Sequence, residues 1–363
     1  MNWLNNITWR NRYTRLTQWE YWPIFTFYGP LFFYYIFLAI RARHPFFMTA
    51  TNPGIFTGGT GMESKYETIM MLPEALRPKT VLAEVGEDFD QIRNKMDAEG
   101  LTYPVIAKPD IGYRGLLVKK IKNDTDLKAY LEQFPLDFLI QEYIALSREA
   151  GVHFHRFPGQ EKGKITSVTL KKYLSVTGDG SSTVMELVKN SDRALLQIDR
   201  LKASYGTLLE TVPGLGEAVP LGTIGNHSKG TTFINGNDMI DEEMEVTYTK
   251  IVDQLNGIHF CRFDLKCEAF EDLKTGHGIK VIEINGIGAE PTHIYDPKHI
   301  SFLGAISTIG RHWTIIWKLA SINHRHGVPY FGIAKMIKTL LEHRRYIKNI
   351  NRINDLLTQE GTT

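Results

Sequence analysis

The sequence predicts an α/β (α+β) fold, and three observations support this prediction. Between the two ends of the chain, short apolar segments typical of strands alternate with amphipathic segments typical of helices. Of the 363 residues, 43% are hydrophobic and 23% are charged, which is typical of a globular protein with a large core. Late in the chain, residues 262–264 and 283–285 alternate polar and apolar side chains, as half-buried strands do.

In chain order, the central elements alternate between helix and strand. Pro78-Lys79-Thr80 precedes the first apolar strand segment, and Gly100 follows an amphipathic segment at the position where helices commonly end. The apolar segments are rich in Val, Ile and Leu and short enough for buried strands. We predict helices over residues 63–71, 88–99 and 124–134, and strands over residues 81–85, 103–109 and 138–144.

The two late strand segments bring polar side chains to one face. In a strand, the first and third residues of a triplet share a face, and residues 272–278 between the segments favour a turn. A hairpin centred between the segments sets Asp264 opposite Glu283. The same register sets Arg262 opposite Asn285. Carboxylate and amide oxygens suit Mg²⁺ bound with nucleotide phosphates, and Arg suits a developing anionic centre, so the pattern predicts a site for phosphate chemistry.

The N-terminal region, residues 1–50, is aromatic and hydrophobic with basic edges. Residues 21–40 contain no charged side chain and are flanked by five arginines, a pattern that favours contact with a membrane. Pro23, Gly29 and Pro30 interrupt this run. A pair of interfacial or re-entrant helices that breaks at Gly29-Pro30 is therefore an alternative to a single span, and a hydrophobic helix docked on the soluble domain is a third.

The C-terminal region, residues 301–363, is also basic. Residues 311–352 carry nine Lys or Arg and one Glu, whereas residues 51–310 have a net charge of −8. Residues 330–353 have the pattern of a basic amphipathic helix. We predict that both basic ends face an anionic membrane surface, and a helix packed on the core is the alternative for the C-terminal end. No nucleic-acid-reading module is visible, so nucleic acid is not a predicted partner.

The two cysteines bear on the cellular compartment. Cys261 and Cys267 are predicted on the apolar face of one strand, about 20 Å apart, too far to form a disulfide. Nothing in the sequence indicates a disulfide framework, which is typical of a reducing cytosolic compartment. Together with the basic ends, this predicts a location on the cytoplasmic side of a membrane.

Further polar residues precede the hairpin in a definite order. A lysine at a strand end lies more often on the surface than in a site, and a short glycine loop is more often a plain turn, so each residue alone indicates little. Glycines do allow backbone N–H groups to approach phosphates closely. The order is Lys65, Lys108, Gly112, Gly115, residues 141–144, Glu149 and then the hairpin.

This order and spacing resemble the ATP-grasp superfamily, and the site is similar to that of D-alanine–D-alanine ligases. Residues 175–187 are similar to a segment of cyanophycin synthetase and related glutamate ligases. The resemblance extends over residues 63–296, roughly two thirds of the chain, and implies two subdomains with nucleotide between them. It implies a truncated segment before the fold at 51–79, a small lid subdomain at 80–141 and a large subdomain with the metal site at 142–300, between the end regions 1–50 and 301–363.

The resemblance also implies a role for each polar residue. Phosphate contacts come from Lys65 and Lys108, with the phosphate flap between Gly112 and Gly115. The adenine hinge and the ribose acceptor are Glu142, Tyr143, Ile144 and Glu149. Metal ligands are Asp264, Glu283 and Asn285, for one or two Mg²⁺ ions with Mn²⁺ as an alternative, and Arg262 stabilises a tetrahedral intermediate.

The implied activity is that of an ATP- and Mg²⁺-dependent ligase that joins a small-molecule carboxylate to an amine or thiol through an acylphosphate, of the acid–amino-acid ligase type. A phosphotransferase of the same superfamily and a non-catalytic, membrane-associated nucleotide-binding protein are alternatives. Lys229 is a candidate catalytic contact to phosphate or the acyl donor, with an exposed loop lysine as the alternative. Glu290 and His293 are candidates for the acceptor pocket, and incidental loop residues are the alternative.

Overall fold

The computed structural model describes residues 7–112, 115–222 and 225–360, with the backbone alone for Ile24 and residues 354–360. Helices and strands are mixed along the chain, which confirms the predicted fold class. The helices are α1 (Ile7–Thr17), α2 (Ile24–Ala42), α3 (Lys65–Met70), α4 (Phe89–Ala98), α5 (Asp124–Gln133), α6 (Val184–Asn190), α7 (Asp192–Leu195), α8 (Ile198–Tyr205), α9 (Glu242–Val252), α10 (Asp272–Thr275), α11 (Phe302–Arg325) and α12 (Ile333–Glu360).

The described strands form three antiparallel sheets. Their order is β1-β4-β2-β3 in the first sheet, β11-β10-β5-β6-β9 in the second and β7-β8 in the third. The strands are β1 (Thr80–Ala83), β2 (Val105–Pro109), β3 (Lys119–Ile121), β4 (Phe138–Glu142), β5 (Arg148–His155), β6 (Lys164–Lys172), β7 (Ser175–Thr177), β8 (Ala218–Pro220), β9 (Thr232–Asn235), β10 (Phe260–Cys267) and β11 (Lys280–Asn285).

The first sheet forms a small subdomain with α4 and α5. A capping box at Asp88 and Gln91 fixes the start of α4, close to the predicted start of that helix. One face of the sheet packs on both helices, with Met96 of α4 and Tyr130 of α5 fully buried. Ile350 of α12 completes the same core, so the alternative of a C-terminal helix packed on the core is correct for this part of α12.

The second sheet and α9 form the larger core, which belongs to the large subdomain and positions the site. Along β10, Cys261, Phe263 and Leu265 are buried in one cluster with Met244 and Tyr248 of α9. Because side chains alternate along a strand, the residues between them point to the opposite face of the sheet. That face is turned toward the small subdomain. Both cysteines are free and buried, as predicted.

Helix α2, in the N-terminal region, is continuous, and one of its faces packs on the protein while the other is exposed. The alternative of a helix pair that breaks at Gly29-Pro30 is wrong, because α2 runs through Pro30 from Ile24 to Ala42. Its inner face, which includes Phe27 and Leu31, packs beside α11. This packing stabilises the helix against the hydrogen bond that proline removes. Within the described part of the chain, Phe25–Ala42 is the one helical segment long and apolar enough to cross a membrane, with mean hydropathy 1.3.

Candidate active site

The paired strands β10 and β11 carry the first group of site residues. Their antiparallel register sets Asp264 opposite Glu283. It also sets Arg262 opposite Asn285, so the register predicted from the sequence is confirmed. A bulge follows Asp264 in the ladder. Phe263 points to the other face, into the core with α9, which leaves the four polar side chains facing the small subdomain.

Asp264 is the side chain on which the contacts of this face converge. Arg262 donates to its carboxylate twice, from Nε to Oδ1 at 3.1 Å and from Nη2 to Oδ2 at 2.8 Å. Asn285 Nδ2 donates to Oδ2 at 3.0 Å, and Lys171 Nζ donates to Oδ1 at 3.3 Å. Burial raises the pKa of this carboxyl, but Arg262 and Lys171 outweigh burial and hold the pKa below its usual value. Asp264 is therefore ionised at neutral pH.

Lys65 reaches the opposite carboxylate from the first turn of α3. Its Nζ donates a hydrogen bond to Glu283, which lowers the pKa of that carboxyl although burial acts to raise it. Asp110 fixes the start of α3, because its Oδ1 accepts from Ser64 Oγ at 3.0 Å and from the Tyr66 N–H at 2.8 Å. The end of β2 and the start of α3 thus place Lys65 beside the hairpin.

Lys108 lies on β2 and points at the hairpin from the small subdomain. Its Nζ donates to Gln141 Oε1 at 3.0 Å and to the Ile282 carbonyl at 3.1 Å. Both partners are neutral, and the described residues provide no carboxylate within ion-pair distance of this ammonium. Burial lowers the pKa of Lys108 to about 8, with a further lowering from the charge of Lys65 and an opposing effect of Glu283. A half-buried cation that lacks a direct counter-ion suits an anionic ligand.

Lys171, which the sequence analysis missed, contacts both Asp264, a predicted metal ligand, and Glu149, the predicted ribose acceptor. It lies on β6, and its Nζ donates to Glu149 Oε1 at 2.7 Å as well as to Asp264. Tyr173 Oη donates to the other oxygen of Glu149 at 2.6 Å. Thr169, Lys171 and Tyr173 occupy every second position. This spacing places all three on one face of a strand, so the group could have been predicted from the sequence.

The predicted phosphate flap contacts the large subdomain through Lys229. The Nζ of Lys229 donates to the Gly115 carbonyl at 3.0 Å, and burial lowers the pKa of this ammonium. Gly112 and Gly115 both line the cleft between the subdomains. Tyr113 and Arg114, the two residues between them, lie outside the described residues. Lys229 therefore contacts the predicted phosphate flap, which is the loop beside which a phosphate contact is expected.

The predicted adenine hinge begins at the last residue of β4 and borders the cleft. Glu142, Tyr143 and Ile144 all line it. The backbone of Glu142 pairs with that of Lys79, with Glu142 N–H donating to the Lys79 carbonyl at 2.8 Å. Lys120 Nζ lies 3.5 Å from the centre of the Tyr143 ring. The three hinge residues therefore lie where the chain passes from the small to the large subdomain.

The N-terminal segment contributes a wall of the cleft that the sequence did not indicate. Glu20, Trp22, Phe27 and Tyr28 line it. Glu20 is buried, and its Oε2 accepts from Arg193 Nη2 at 2.7 Å and lies 2.7 Å from His227 Nε2. Arg193 and His227 attach this segment to the large subdomain. These pairs join residues more than 170 positions apart, so no local pattern predicts them.

The two candidates for the acceptor pocket differ in position. Glu290 lines the cleft, and its carboxylate accepts from Tyr28 Oη and from Tyr295 Oη, the latter at 2.9 Å. His293 is buried with its Nδ1 2.6 Å from Ser167 Oγ. It is not among the residues that line the cleft. The prediction for His293 is wrong, because the chain turns it into the sheet interior.

The cleft between the subdomains has a volume of about 1110 Å³ and contains all the predicted nucleotide and metal residues with the exception of Lys229. Two carboxylates and one amide on neighbouring strands suit a hard divalent cation. The described residues contain no group of three or more His, Cys, Asp or Glu that could hold a metal ion by itself. The donor set therefore fits Mg²⁺ that takes part of its coordination from nucleotide phosphates.

Comparison with known proteins gives matches in solved structures only. No protein-family model matches the chain. No curated protein matches it either. Similar solved structures include a bifunctional glutathione synthetase from Pasteurella multocida, with 20% identity over 61% of this chain and 32% of that chain, at a TM-score of 0.35.

Two further matches are ligases. The VanG D-Ala:D-Ser ligase from Enterococcus faecalis shares 15% identity over 71% of this chain and 64% of its own, at a TM-score of 0.40. A D-alanine–D-alanine ligase from Bacillus anthracis shares 15% identity over 73% of this chain and 71% of its own, at a TM-score of 0.39. The chain thus spans about a third of the glutathione synthetase and just under two thirds of VanG.

Proposed function

We propose that this protein is an ATP- and Mg²⁺-dependent ligase of the ATP-grasp type that joins a carboxylate to an amine or thiol through an acylphosphate. One observation carries the proposal: the carboxylates of Asp264 and Glu283 lie opposite each other beside Lys65, Lys108 and Arg262, at a cleft formed by two subdomains. This combination provides metal ligands, phosphate contacts and a cation for a developing anion in one place.

The nucleotide would lie between the two sheets. The backbone at Glu142–Ile144 would read the base edge, and Glu149 would accept from the ribose hydroxyls. Lys108 supports this placement. Among the described residues its half-buried ammonium has only neutral hydrogen-bond partners, so it suits a phosphate oxygen. Gly112 and Gly115 would border the phosphates, and Lys229 donates to the Gly115 carbonyl at 3.0 Å.

Asp264, Glu283 and Asn285 would hold Mg²⁺, which would neutralise phosphate charge and orient the transferred group. Arg262 is held by two hydrogen bonds to Asp264 and one from Nη1 to the Glu290 carbonyl at 3.0 Å. A guanidinium fixed in this way is preorganised to stabilise the tetrahedral anion that forms when a nucleophile attacks the acyl group.

The reaction needs no covalent enzyme nucleophile. A substrate carboxylate oxygen attacks the γ-phosphorus, and the bond from that phosphorus to ADP breaks. The amine nitrogen then bonds to the acyl carbon and loses a proton to solvent, and phosphate leaves with the carboxylate oxygen. The chain's thiols cannot take part, because Cys261 and Cys267 are buried on the opposite face of β10 and burial raises the pKa of both. The residues act by positioning and electrostatics.

We also place the enzyme on the cytoplasmic side of a membrane, in contact with the lipid surface. Six large apolar side chains of α2 are exposed and lie on one side of the helix, at Phe25, Phe32, Phe33, Ile36, Phe37 and Ile40. The opposite face of α2 packs beside α11. This division favours a helix that lies along the interface over one that leaves the protein to span the bilayer.

Isotope transfer tests the chemistry directly. Purified full-length protein is incubated with ATP, Mg²⁺, pooled ¹⁸O-carboxylates and pooled amines, and the released phosphate is analysed by mass spectrometry. We expect ADP and phosphate that carries one ¹⁸O, because the carboxylate oxygen leaves with the phosphate. Hydroxylamine added in place of the amines should give hydroxamates.

Two outcomes would overturn the proposal. ADP formation with a stable phosphorylated product and no amide would identify a phosphotransferase. Absence of ADP formation with every pool, together with Mg²⁺–ATP binding, would identify a nucleotide-binding protein without turnover.

A further inference from the structure

The wall of the cleft next to Arg262 is aromatic, and it comes from two distant parts of the chain. Trp22, Phe27 and Tyr28 come from the N-terminal segment, and Phe233 and Tyr295 come from the large subdomain. The rings contact one another, since the Phe27 and Tyr295 ring centres are 6.1 Å apart and those of Phe233 and Tyr295 are 6.4 Å apart. Within this wall, Phe27, Tyr295 and Phe233 thus form a continuous aromatic surface.

One carboxylate, that of Glu290, is set into this wall. It accepts hydrogen bonds from two neutral donors, Tyr28 Oη on one oxygen and Tyr295 Oη on the other. Among the described residues, no lysine, arginine or histidine forms an ion pair with it. Each carboxylate oxygen has capacity for a further donor. Glu290 is half-buried, so its charge is only partly screened by solvent.

The second carboxylate in the wall, Glu20, is already neutralised. It pairs with Arg193 and lies against His227. Burial acts to raise the pKa of Glu20, but these two partners lower it below its usual value. Glu20 therefore has the contacts of a residue that anchors the N-terminal segment, whereas Glu290 keeps its charge available to a ligand.

Glu290 is also directly connected to the proposed reaction centre. Its main-chain carbonyl accepts from Arg262 Nη1 at 3.0 Å, while the other nitrogens of the same guanidinium bond to Asp264. A ligand held by the Glu290 carboxylate would therefore lie beside the group that we propose stabilises the tetrahedral anion. That is the position required of the incoming nucleophile.

We infer that this pocket binds the acceptor amine in its ammonium form, with the Glu290 carboxylate as its ionic partner and the aromatic rings around it. The bound ammonium loses one proton to solvent before its nitrogen attacks the acyl carbon. An ammonium is attracted both to a carboxylate and to the faces of aromatic rings, and a neutral or anionic acceptor has no such complement here. The inference rests on the proposed ligase function and specifies its acceptor class. It also assigns the N-terminal segment a direct part in acceptor binding, through Tyr28.

The test compares a charged with a neutral nucleophile. Glycinamide and ethylamine serve as ammonium probes, and hydroxylamine, which is uncharged near pH 7.5, serves as the neutral probe, each with ATP and the carboxylate pool. We expect Glu290→Gln to raise KM for the ammonium probes about 10- to 100-fold, the range of a charge-assisted hydrogen bond. KM for hydroxylamine and for ATP should change less than about threefold, since neither involves the lost charge.

Three further variants separate binding from folding. Tyr28→Phe should raise KM for the ammonium probes about threefold or more, because it removes one donor that orients the carboxylate. Tyr13→Phe, on an exposed tyrosine of α1, and Glu243→Gln, on an exposed glutamate of α9 behind the sheet, are matched controls that should leave all constants unchanged.

The outcomes distinguish this inference from the proposed function. Equal changes in KM for ammonium and neutral probes in Glu290→Gln would overturn the inference, as would a wild-type protein that uses hydroxylamine but no ammonium probe. In both cases hydroxamate formation would leave the ligase proposal standing. If no probe gives ADP or hydroxamate, the proposed function fails, and this inference fails with it.

Discussion

At the scale of single residues, Asp264 links the parts of the site, because Arg262, Lys171 and Asn285 all donate to its carboxylate. An Asp264→Asn substitution preserves shape but removes the charge that would hold the proposed metal ion. We expect Mg²⁺-dependent ADP formation to fall at least about 100-fold, the size of effect seen when an electrostatic element is removed from an active site. The measurement is initial-rate ADP release over a range of Mg²⁺ concentrations.

The control for this substitution is Asp238→Asn, which changes an exposed aspartate on the loop after β9. It should leave the rate unchanged. Circular dichroism should show the same helix content in both variants. A rate for Asp264→Asn within about threefold of wild type would contradict the metal assignment.

The pKa of Lys108 predicts that the affinity for nucleotide depends on pH. Its pKa is about 8 in the free protein, chiefly because of burial. The ammonium form binds phosphate and the neutral amine does not, so affinity is full below this pKa and falls as the pH rises through it. We expect Kd for Mg²⁺–ATP to be constant up to about pH 7.5 and to rise about tenfold for each further pH unit well above the pKa.

Lys108→Arg provides the control, because a guanidinium remains charged across this pH range. In that variant the rise near pH 8 should disappear, whatever its absolute affinity. Titration calorimetry from pH 6.5 to 9.5 would detect both behaviours. An unchanged inflection in Lys108→Arg would assign the titration to another group.

At the scale of elements, the site hairpin was predictable and the walls around it were not. Period-two alternation and a central turn leave one register that buries Phe263 and Ile284 together, since a one-residue slip would turn them to the polar face. The fold class followed from similar local patterns. Tyr28 and Glu290, in contrast, are 262 residues apart in sequence, and only the packing of α2 beside α11 brings them together.

The error at α2 has the same origin. Gly29 and Pro30 are local signals for a break, but the buried side chains of Phe27, Leu31 and Leu38 hold the helix against the protein on both sides of them. Local propensity is a weak predictor where tertiary packing opposes it. Lys171 is a different case, because alternation along β6 is enough to place it on the same face as Thr169.

After β11, the backbone at Gly286 passes very close to the backbone at Gly58 and Gly59. A Cβ at Gly286 would lie 2.5 Å from Gly59 Cα and 2.6 Å from the Gly58 carbonyl oxygen. The backbone N–H of Gly288 donates to Gly59 at 2.7 Å across this contact. We expect Gly286→Ala to lower the free energy of unfolding by about 1–3 kcal/mol, as overpacking does, and to weaken activity by displacing the neighbouring Asn285.

Urea unfolding checks this expectation through the midpoint at constant m-value. Gly332→Ala is the matched control, because its added Cβ has no atom within 4 Å. It should change the free energy of unfolding by less than about 0.5 kcal/mol. Equal midpoints for the two variants would show that the contact between residues 58–59 and 286 has room for a side chain.

At the scale of the whole molecule, the helices at the two ends connect a proposed membrane surface to the cleft. The inner face of α2 carries Tyr28 to Glu290, and its outer face is apolar and exposed. At the other end, α12 packs Ile350 on the small subdomain, while Ile337 and Leu341 remain exposed beside several lysines and arginines. The helix that carries Tyr28 to the cleft and the helix that packs on the small subdomain therefore present the apolar and basic groups that suit an anionic bilayer.

This arrangement predicts that membrane binding can be removed without loss of the site. The triple substitution Phe25→Ser, Phe33→Ser and Ile40→Ser changes side chains that are 69%, 75% and 70% exposed and leaves the inner face of α2 intact. Because each buried aromatic or aliphatic side chain stabilises the bound state by about 1.5–3 kcal/mol, binding to phosphatidylcholine–phosphatidylglycerol vesicles should weaken at least about tenfold in co-sedimentation. Leu215→Ser, at a position 85% exposed elsewhere, should sediment like wild type. Unchanged sedimentation of the triple variant would exclude α2 as the membrane contact.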